Sequence, residues 1–383
     1  MSSSIDAVLQ DAVSSGAVPN VVAVAADRNG TIYEAAVGPR AVGQDEPVGA
    51  ESLFRIASMT KMVVTVAALQ QLELGNIDLD APVEQYCPQF ADVEVLDGFD
   101  GETPRLRKPA TKATVRQLAT HTSGLSYWFW NNDIVRWEAA TNTPNVLSGS
   151  NAIFTAPMIA DPGSKIEYGI SLDWLGKVVE AASGESLKDY IDIHIAHPLG
   201  MWNTTFLMNE EQRARSVPVH IKEDDRWVAT ELDWNQEPDF WSGGGGLYST
   251  PRDYLRFQQM LLAGGALDGQ QILERASVDA AFTNQVGDLE FPAAIKTADP
   301  ASSCDFNAGP GQKWGLGLML NTQQQTGMRA PGSGTWAGIF NSHFWIDRTS
   351  GIAGAIYSQF LPFVTPEALQ MYVDFEKALY ASL

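Results

Sequence analysis

The chain has 383 residues, of which 45% are hydrophobic and 19% charged, the composition of a globular protein rather than a disordered or fibrous one. That length exceeds what a single hydrophobic core usually serves, so two lobes are expected. With 46 acidic against 25 basic residues the net charge is -21, which disfavours partners with phosphate backbones or anionic lipid surfaces.

Ile5, Val8, Leu9, Ala12 and Val13 recur at helical spacing, and Gly16 can end that run. Two β-rich runs follow, Val21–Ala26 and Thr31–Val37, joined by Asp27-Arg28-Asn29-Gly30, whose Asn-Gly pair tolerates positive φ. A helix is predicted from Ser58 to Leu74. Its first turns are apolar nearly all round, which marks a buried helix, and Gly75 suits its C-cap.

Residues 76–110 read as loops, and Thr114–Gln117 as a capping box for a short helix. Residues 130–165 hold one helix among Asn, Pro, Ser and Gly. Helices are predicted over Ser171–Ala182 and from the Ser186 cap to about 196. The acid-rich stretch Glu223–Asp239 reads as a solvated face. Thr250 caps a helix with Pro251 at its first position, and a further helix covers about 273–283. Residues 285–312 look like a long loop. Four β runs come next: Trp314–Leu320, Thr335–Asn341, His343–Asp347 and Ile352–Tyr357. Thr365 caps a final helix.

Strands thus lie at both ends and helices in the middle. The fold class expected is mixed α/β (α+β), with an antiparallel sheet built from both termini and flanked by helices, plus a mostly helical lobe. The sheet lobe would take residues 1–75 and 250–383, the helical lobe 76–249, with a site in the cleft between them. Cys87 and Cys304 cannot make a disulfide framework, and five histidines without ligand spacing argue against structural zinc. No apolar run reaches membrane-span length, and residues 1–20 lack a basic segment followed by an apolar one. A cytoplasmic protein without membrane or nucleic-acid partners is the expectation.

Ser58-Met59-Thr60-Lys61 opens the buried helix and puts a hydroxyl and an amine on one face. The apolar setting disfavours the ammonium form, and a neutral Lys61 could take the Ser58 proton and leave a nucleophile. Ser-x-x-Lys also arises by chance, as an N-cap serine and a snorkelling lysine. The order of further motifs adds weight. Phe54–Lys61, His121-Thr122-Ser123-Gly124-Leu125, Pro162-Gly163 with Glu167-Tyr168, Pro198–Met201 and Gly243–Thr250 together resemble the serine β-lactamase-like superfamily, across roughly residues 5–380. That superfamily includes class C β-lactamases, DD-peptidases and family VIII carboxylesterases, and the chain is most similar to the last.

The resemblance implies that Tyr168 is the catalytic tyrosine, sharing base duty with Lys61 and returning a proton to the leaving alkoxide. A neighbouring cationic lysine would loosen the phenol proton. The oxyanion hole would be the backbone N–H groups of Ser58 and Ile339. Two departures bear on substrate. Ile170 stands where lactam-active members have asparagine, and Trp336 where they have the lysine of Lys-Thr-Gly. Gly338 would let an acyl group approach the strand closely.

Trp336, Gly338, Ile170, Tyr127 and Trp128 are the expected substrate-binding residues, with Phe129 a further candidate, and the aromatics suit apolar or aryl esters. His121 reads as a loop-ordering donor. The four glycines Gly243–Gly246 permit a backbone-close bend and are not a phosphate loop. The function expected is a carboxylesterase, a serine hydrolase acting on short-chain or aryl esters through an acyl-enzyme, with no metal or organic cofactor. The alternatives are a β-lactamase, a D-amino peptidase or amidase, an acyltransferase, or an idle binding protein on the same fold.

Overall fold

A computed structural model describes residues 2–383. Seven strands form one antiparallel sheet, in the order Lys313–Trp314, Met319–Leu320, Gly334–Gly338, Ser342–Asp347, Ile352–Tyr357, Val21–Ala26, Thr31–Val37. The N-terminal hairpin therefore completes a sheet begun by the last third of the chain, as expected. Its turn is built as the sequence suggests: Asp27 Oδ1 accepts from the Asn29 and Gly30 N–H groups at 2.7 and 3.0 Å.

The strand Val21–Ala26 is buried along its whole length because both faces are covered. Val21, Ala23 and Ala25 pack beneath the terminal helices Ser2–Ser14 and Pro366–Ser382. Val22, Val24 and Ala26 join the main core, which runs on through the helix Thr60–Glu73 to the helix Ser171–Ser183. The sheet side and the helical side thus share one apolar core. The caps on Thr114, Ser186, Thr250 and Thr365 all form.

Three expectations change. The Trp314–Leu320 run is two short strands with Gly317 at φ +77° between them. The stretch expected to be helices and loops contains two hairpins, Val95–Asp100 with Thr103–Arg107 and His220–Glu223 with Arg226–Ala229. Both are largely exposed and polar, so they carry no alternating apolar signal. Residues 285–312 are not a free loop. Trp128 Nε1–H donates to Asp299 at 3.1 Å, Trp130 Nε1–H to Ser303 at 3.1 Å, and Ala298 N–H to the Phe129 carbonyl at 2.8 Å. The segment braces the aromatic run Tyr127–Trp130 from behind. Both cysteines are free thiols. Among the described residues no helix is long and apolar enough to cross a membrane.

Candidate active site

Ser58 sits in a single 3-10 turn, Ala57–Met59, that feeds the helix Thr60–Glu73. Ala57 has φ +43°, a conformation costing a non-glycine residue about 1 kcal/mol or more. The surroundings hold it there. Phe54–Arg55 pairs with Tyr248–Ser249, and the Ile56 N–H donates to the Leu247 carbonyl at 3.1 Å. The Leu247 N–H in turn donates to Thr60 Oγ1 at 3.2 Å. Asp233 adds an anchor, since it accepts from Arg55 Nε at 3.0 Å and from Arg213 at 3.0 Å.

Lys61, 1% exposed, carries the amine to this turn. Its Nζ lies 3.0 Å from Ser58 Oγ, 3.0 Å from Tyr127 Oη and 2.6 Å from the Gly244 carbonyl oxygen. As an ammonium, Nζ donates to all three; as a neutral amine it can donate to Gly244 and Tyr127 and accept from the Ser58 hydroxyl. Burial lowers the Lys61 pKa to about 7, against an opposing pull from Asp173.

Tyr168 reaches the same place from the segment before the helix Ser171–Ser183. The His121 loop holds that segment: the Glu167 N–H donates to the His121 carbonyl at 2.7 Å, and the Gly169 N–H donates to His121 Nδ1 at 3.4 Å. His121 is thus an acceptor here rather than the expected donor. A Cβ on Gly169 would lie 2.3 Å from Ser126 Cα, so only glycine permits the contact. Lys61 Nζ is 4.7 Å from the centre of the Tyr168 ring. Burial pushes the Tyr168 phenol above its ordinary range, although hydrogen bonding to Ser58 and Trp336 pulls the other way. The expected loosening of its proton by a lysine cation is therefore outweighed by burial.

Ser58 opens into an apolar pocket enclosing about 720 Å³ of non-atom space, open solvent at its mouth included. Tyr127, Trp128, Phe129 and Ile339 line it, as do Leu147, Phe206, Trp234, Pro238, Phe240 and Trp241. The Ile339 N–H lies just past the last ladder pair, Gly338 with Ser342, at the lip of the pocket.

Three residues expected in the pocket lie elsewhere. Trp336 stands behind Tyr168 and donates its Nε1–H to the phenol oxygen at 2.9 Å. Gly338 faces the Ser58 turn, where a Cβ would lie 2.5 Å from the Ile56 carbonyl oxygen. The close approach seen here is between two pieces of backbone. Ile170 precedes the helix at Ser171 and borders a separate small cavity with Trp137 and Ile153. Conversely, the stretch read as a solvated face supplies Trp234, Asn235 and Pro238 to the wall.

Asp173 escaped the sequence reading. It is 1% exposed, and its Oδ1 accepts from Ser242 Oγ at 2.7 Å and from the Gly244 N–H at 3.0 Å. The one available signal was an acid set among Leu172, Trp174 and Leu175. Burial raises its pKa and Lys61 opposes the rise.

Residues 5–378 match the profile of the Beta-lactamase family. A lovastatin esterase from Penicillium rubens is 32% identical, over 91% of this chain and 91% of its own. A monacolin J acid methylbutanoyltransferase from Aspergillus terreus is 30% identical, over 98% and 95%. A mutant of the simvastatin synthase from Aspergillus terreus superposes with TM-score 0.86 at 30% identity, covering 99% of this chain and 96% of that one. The resemblance read from the motif order therefore holds along the whole chain, which belongs to the Beta-lactamase family as a serine-hydrolase-like enzyme of that fold.

Proposed function

We propose that the protein is an ester-active acyltransferase that works through an acyl-Ser58 intermediate. The observation that carries this is Ser58, paired with the buried Lys61 at 3.0 Å, lining an apolar, aromatic-walled pocket. Ser58 Oγ passes its proton to the neutral amine of Lys61 as it attacks the acyl carbonyl. The Ser58 and Ile339 N–H groups receive the oxyanion. Tyr168, a neutral phenol, gives its proton to the departing oxygen and regains one from Lys61. An alcohol then enters and attacks the acyl carbon as Lys61 takes its proton; the bond to Ser58 Oγ breaks, the acyl group leaves on the alcohol oxygen, and Lys61 returns the proton to Ser58 Oγ.

Transfer is favoured over plain hydrolysis by two considerations. Aromatic walls make the acyl-enzyme a poor place for water and a good one for an apolar alcohol. Methylbutanoyltransferases stand among the relatives with near-complete coverage. Hydrolysis is the second reading, supported by the esterase relative, and needs only water in place of the alcohol. Lactam hydrolysis is the weaker alternative, since neither an asparagine amide nor a lysine ammonium stands at positions 170 and 336.

The test is to supply p-nitrophenyl butyrate with and without an apolar alcohol such as 2-phenylethanol. The new ester should outweigh butyric acid, and both should vanish in Ser58→Ala. Acid alone at every alcohol concentration would leave a hydrolase. Faster turnover of a chromogenic cephalosporin than of the ester would overturn the proposal.

A further inference from the structure

Lys61 has a second, indirect partner. Its Nζ is held at 2.6 Å by the Gly244 carbonyl, and the N–H of the same residue is held at 3.0 Å by Asp173 Oδ1. Ser242 Oγ fixes that carboxylate oxygen from the other side at 2.7 Å. The arrangement tolerates no side chain at its centre. A Cβ on Gly244 would lie 2.4 Å from Asp173 Oδ2 and 2.6 Å from Tyr127 Oη. Asp173 Oδ2 is buried, and the polar group beside it is the Tyr127 hydroxyl, which also faces Lys61. Burying a carboxylate in this way is costly, and the cost is eased when Lys61 takes a proton.

We propose that Asp173 is a positioning residue for Lys61, acting through the Gly244 residue to hold the amine against Ser58 and to set how readily it takes a proton. The inference rests on the acyl-enzyme reading above. The other titratable groups facing Lys61 come from three elements. Tyr127 and Tyr168 are pushed up by burial, and His121 is pushed down by burial and by Lys61. All three are therefore uncharged near neutrality. Asp173 is the anion facing the amine, and it favours the protonated lysine that forms as Ser58 attacks.

The experiment follows covalent labelling of Ser58 by a fluorophosphonate as a function of pH, which reads the base without requiring turnover. Labelling of the wild type should rise through a limb near pH 7, where Lys61 loses its proton. Asp173→Asn keeps the shape and removes the charge. Its limb should move to lower pH by at least about half a unit, a threefold change in the proton equilibrium. Its plateau should fall roughly tenfold, because a less basic and less fixed amine is a poorer base. Asp173→Glu should return the limb toward the wild type.

A merely structural aspartate would lower the melting temperature and leave the limb in place, and that result overturns the proposal. If Asp173→Asn does not fold, Ser242→Ala is read instead. It leaves the carboxylate with fewer donors and more prone to protonation, so the limb should move in the same direction by a smaller amount. An unmoved limb there also overturns the proposal. Absence of labelling in the wild type would instead remove Ser58 as the nucleophile, and with it the function proposed above.

Discussion

Replacing Lys61 with methionine should abolish activity and yet stabilise the protein at neutral pH. The native amine has a pKa of about 7 against an ordinary 10.5. Above about pH 10.5 both native and unfolded chains are neutral at this residue, and burial costs nothing in protonation. Between that pH and about 7 the unfolded chain binds a proton that the native one does not, so stability falls as pH falls. Below about pH 7 both are protonated and the cost is fully present. At about 1.4 kcal/mol per pH unit it reaches roughly 4 kcal/mol at pH 7 and roughly 1 kcal/mol at pH 10.

Methionine removes this cost while filling a similar volume. It also leaves the Gly244 carbonyl unpaired, which costs about 1–3 kcal/mol. The variant should gain about 2 kcal/mol at pH 7, and the gain should shrink by about 3 kcal/mol and change sign by about pH 10. Urea unfolding of both proteins at pH 7, 8.5 and 10, followed by tryptophan fluorescence, measures the difference directly. A difference that stays flat across this range would mean that the native amine is charged, and the base assigned to Ser58 would be lost with it.

Two further outcomes follow from the contacts around the pair. Trp336→Phe removes the 2.9 Å donor to Tyr168, so the phenol should yield its proton less readily. Ethyl ester turnover should drop by about tenfold, whereas p-nitrophenyl esters, whose leaving group needs no proton, should change by less than about threefold. Equal losses on both esters would show that the indole acts through packing alone. Gly338→Ala drives a Cβ to 2.5 Å from the Ile56 carbonyl oxygen. It should cost about 1–3 kcal/mol in thermal unfolding and slow Ser58 labelling by more than about 100-fold, since the turn that holds the nucleophile must move. Normal labelling would separate Gly338 from the site.

Much of the scaffold could be read from the chain because local chemistry and tertiary packing agree in those places. The Asn29-Gly30 turn, the Thr250-Pro251 helix start and the apolar run after Lys61 each carry their own signal. The motif order likewise pointed to Ser58, Lys61 and Tyr168, which the structure places together. What escaped was of two kinds. The hairpins at 95–107 and 220–229 are mostly exposed beyond Val95, Leu96 and His220, and no alternating burial pattern marks them. Asp173, the Gly244 carbonyl and the Trp336 indole have roles only through partners scores of residues away in the chain. Tyr127 was seen as a pocket wall because sequence cannot show that its hydroxyl faces Lys61.

The stretch from Thr230 to Leu247 joins the strand Arg226–Ala229 to the strand Tyr248–Ser249 and contains no helix or strand of its own. Asp233 fastens its beginning to Arg55, and Asp173 fastens its end at Ser242 and Gly244. Between these two fastenings lie Trp234, Pro238, Phe240 and Trp241, which shape the pocket and take no part in the sheet. One wall of the pocket is therefore carried by a piece of chain separate from the turn and helix that hold Ser58 and Lys61. Changes confined to residues 234–241 would reshape that wall while the Ser58–Lys61 pair and the sheet beneath it stay as they are.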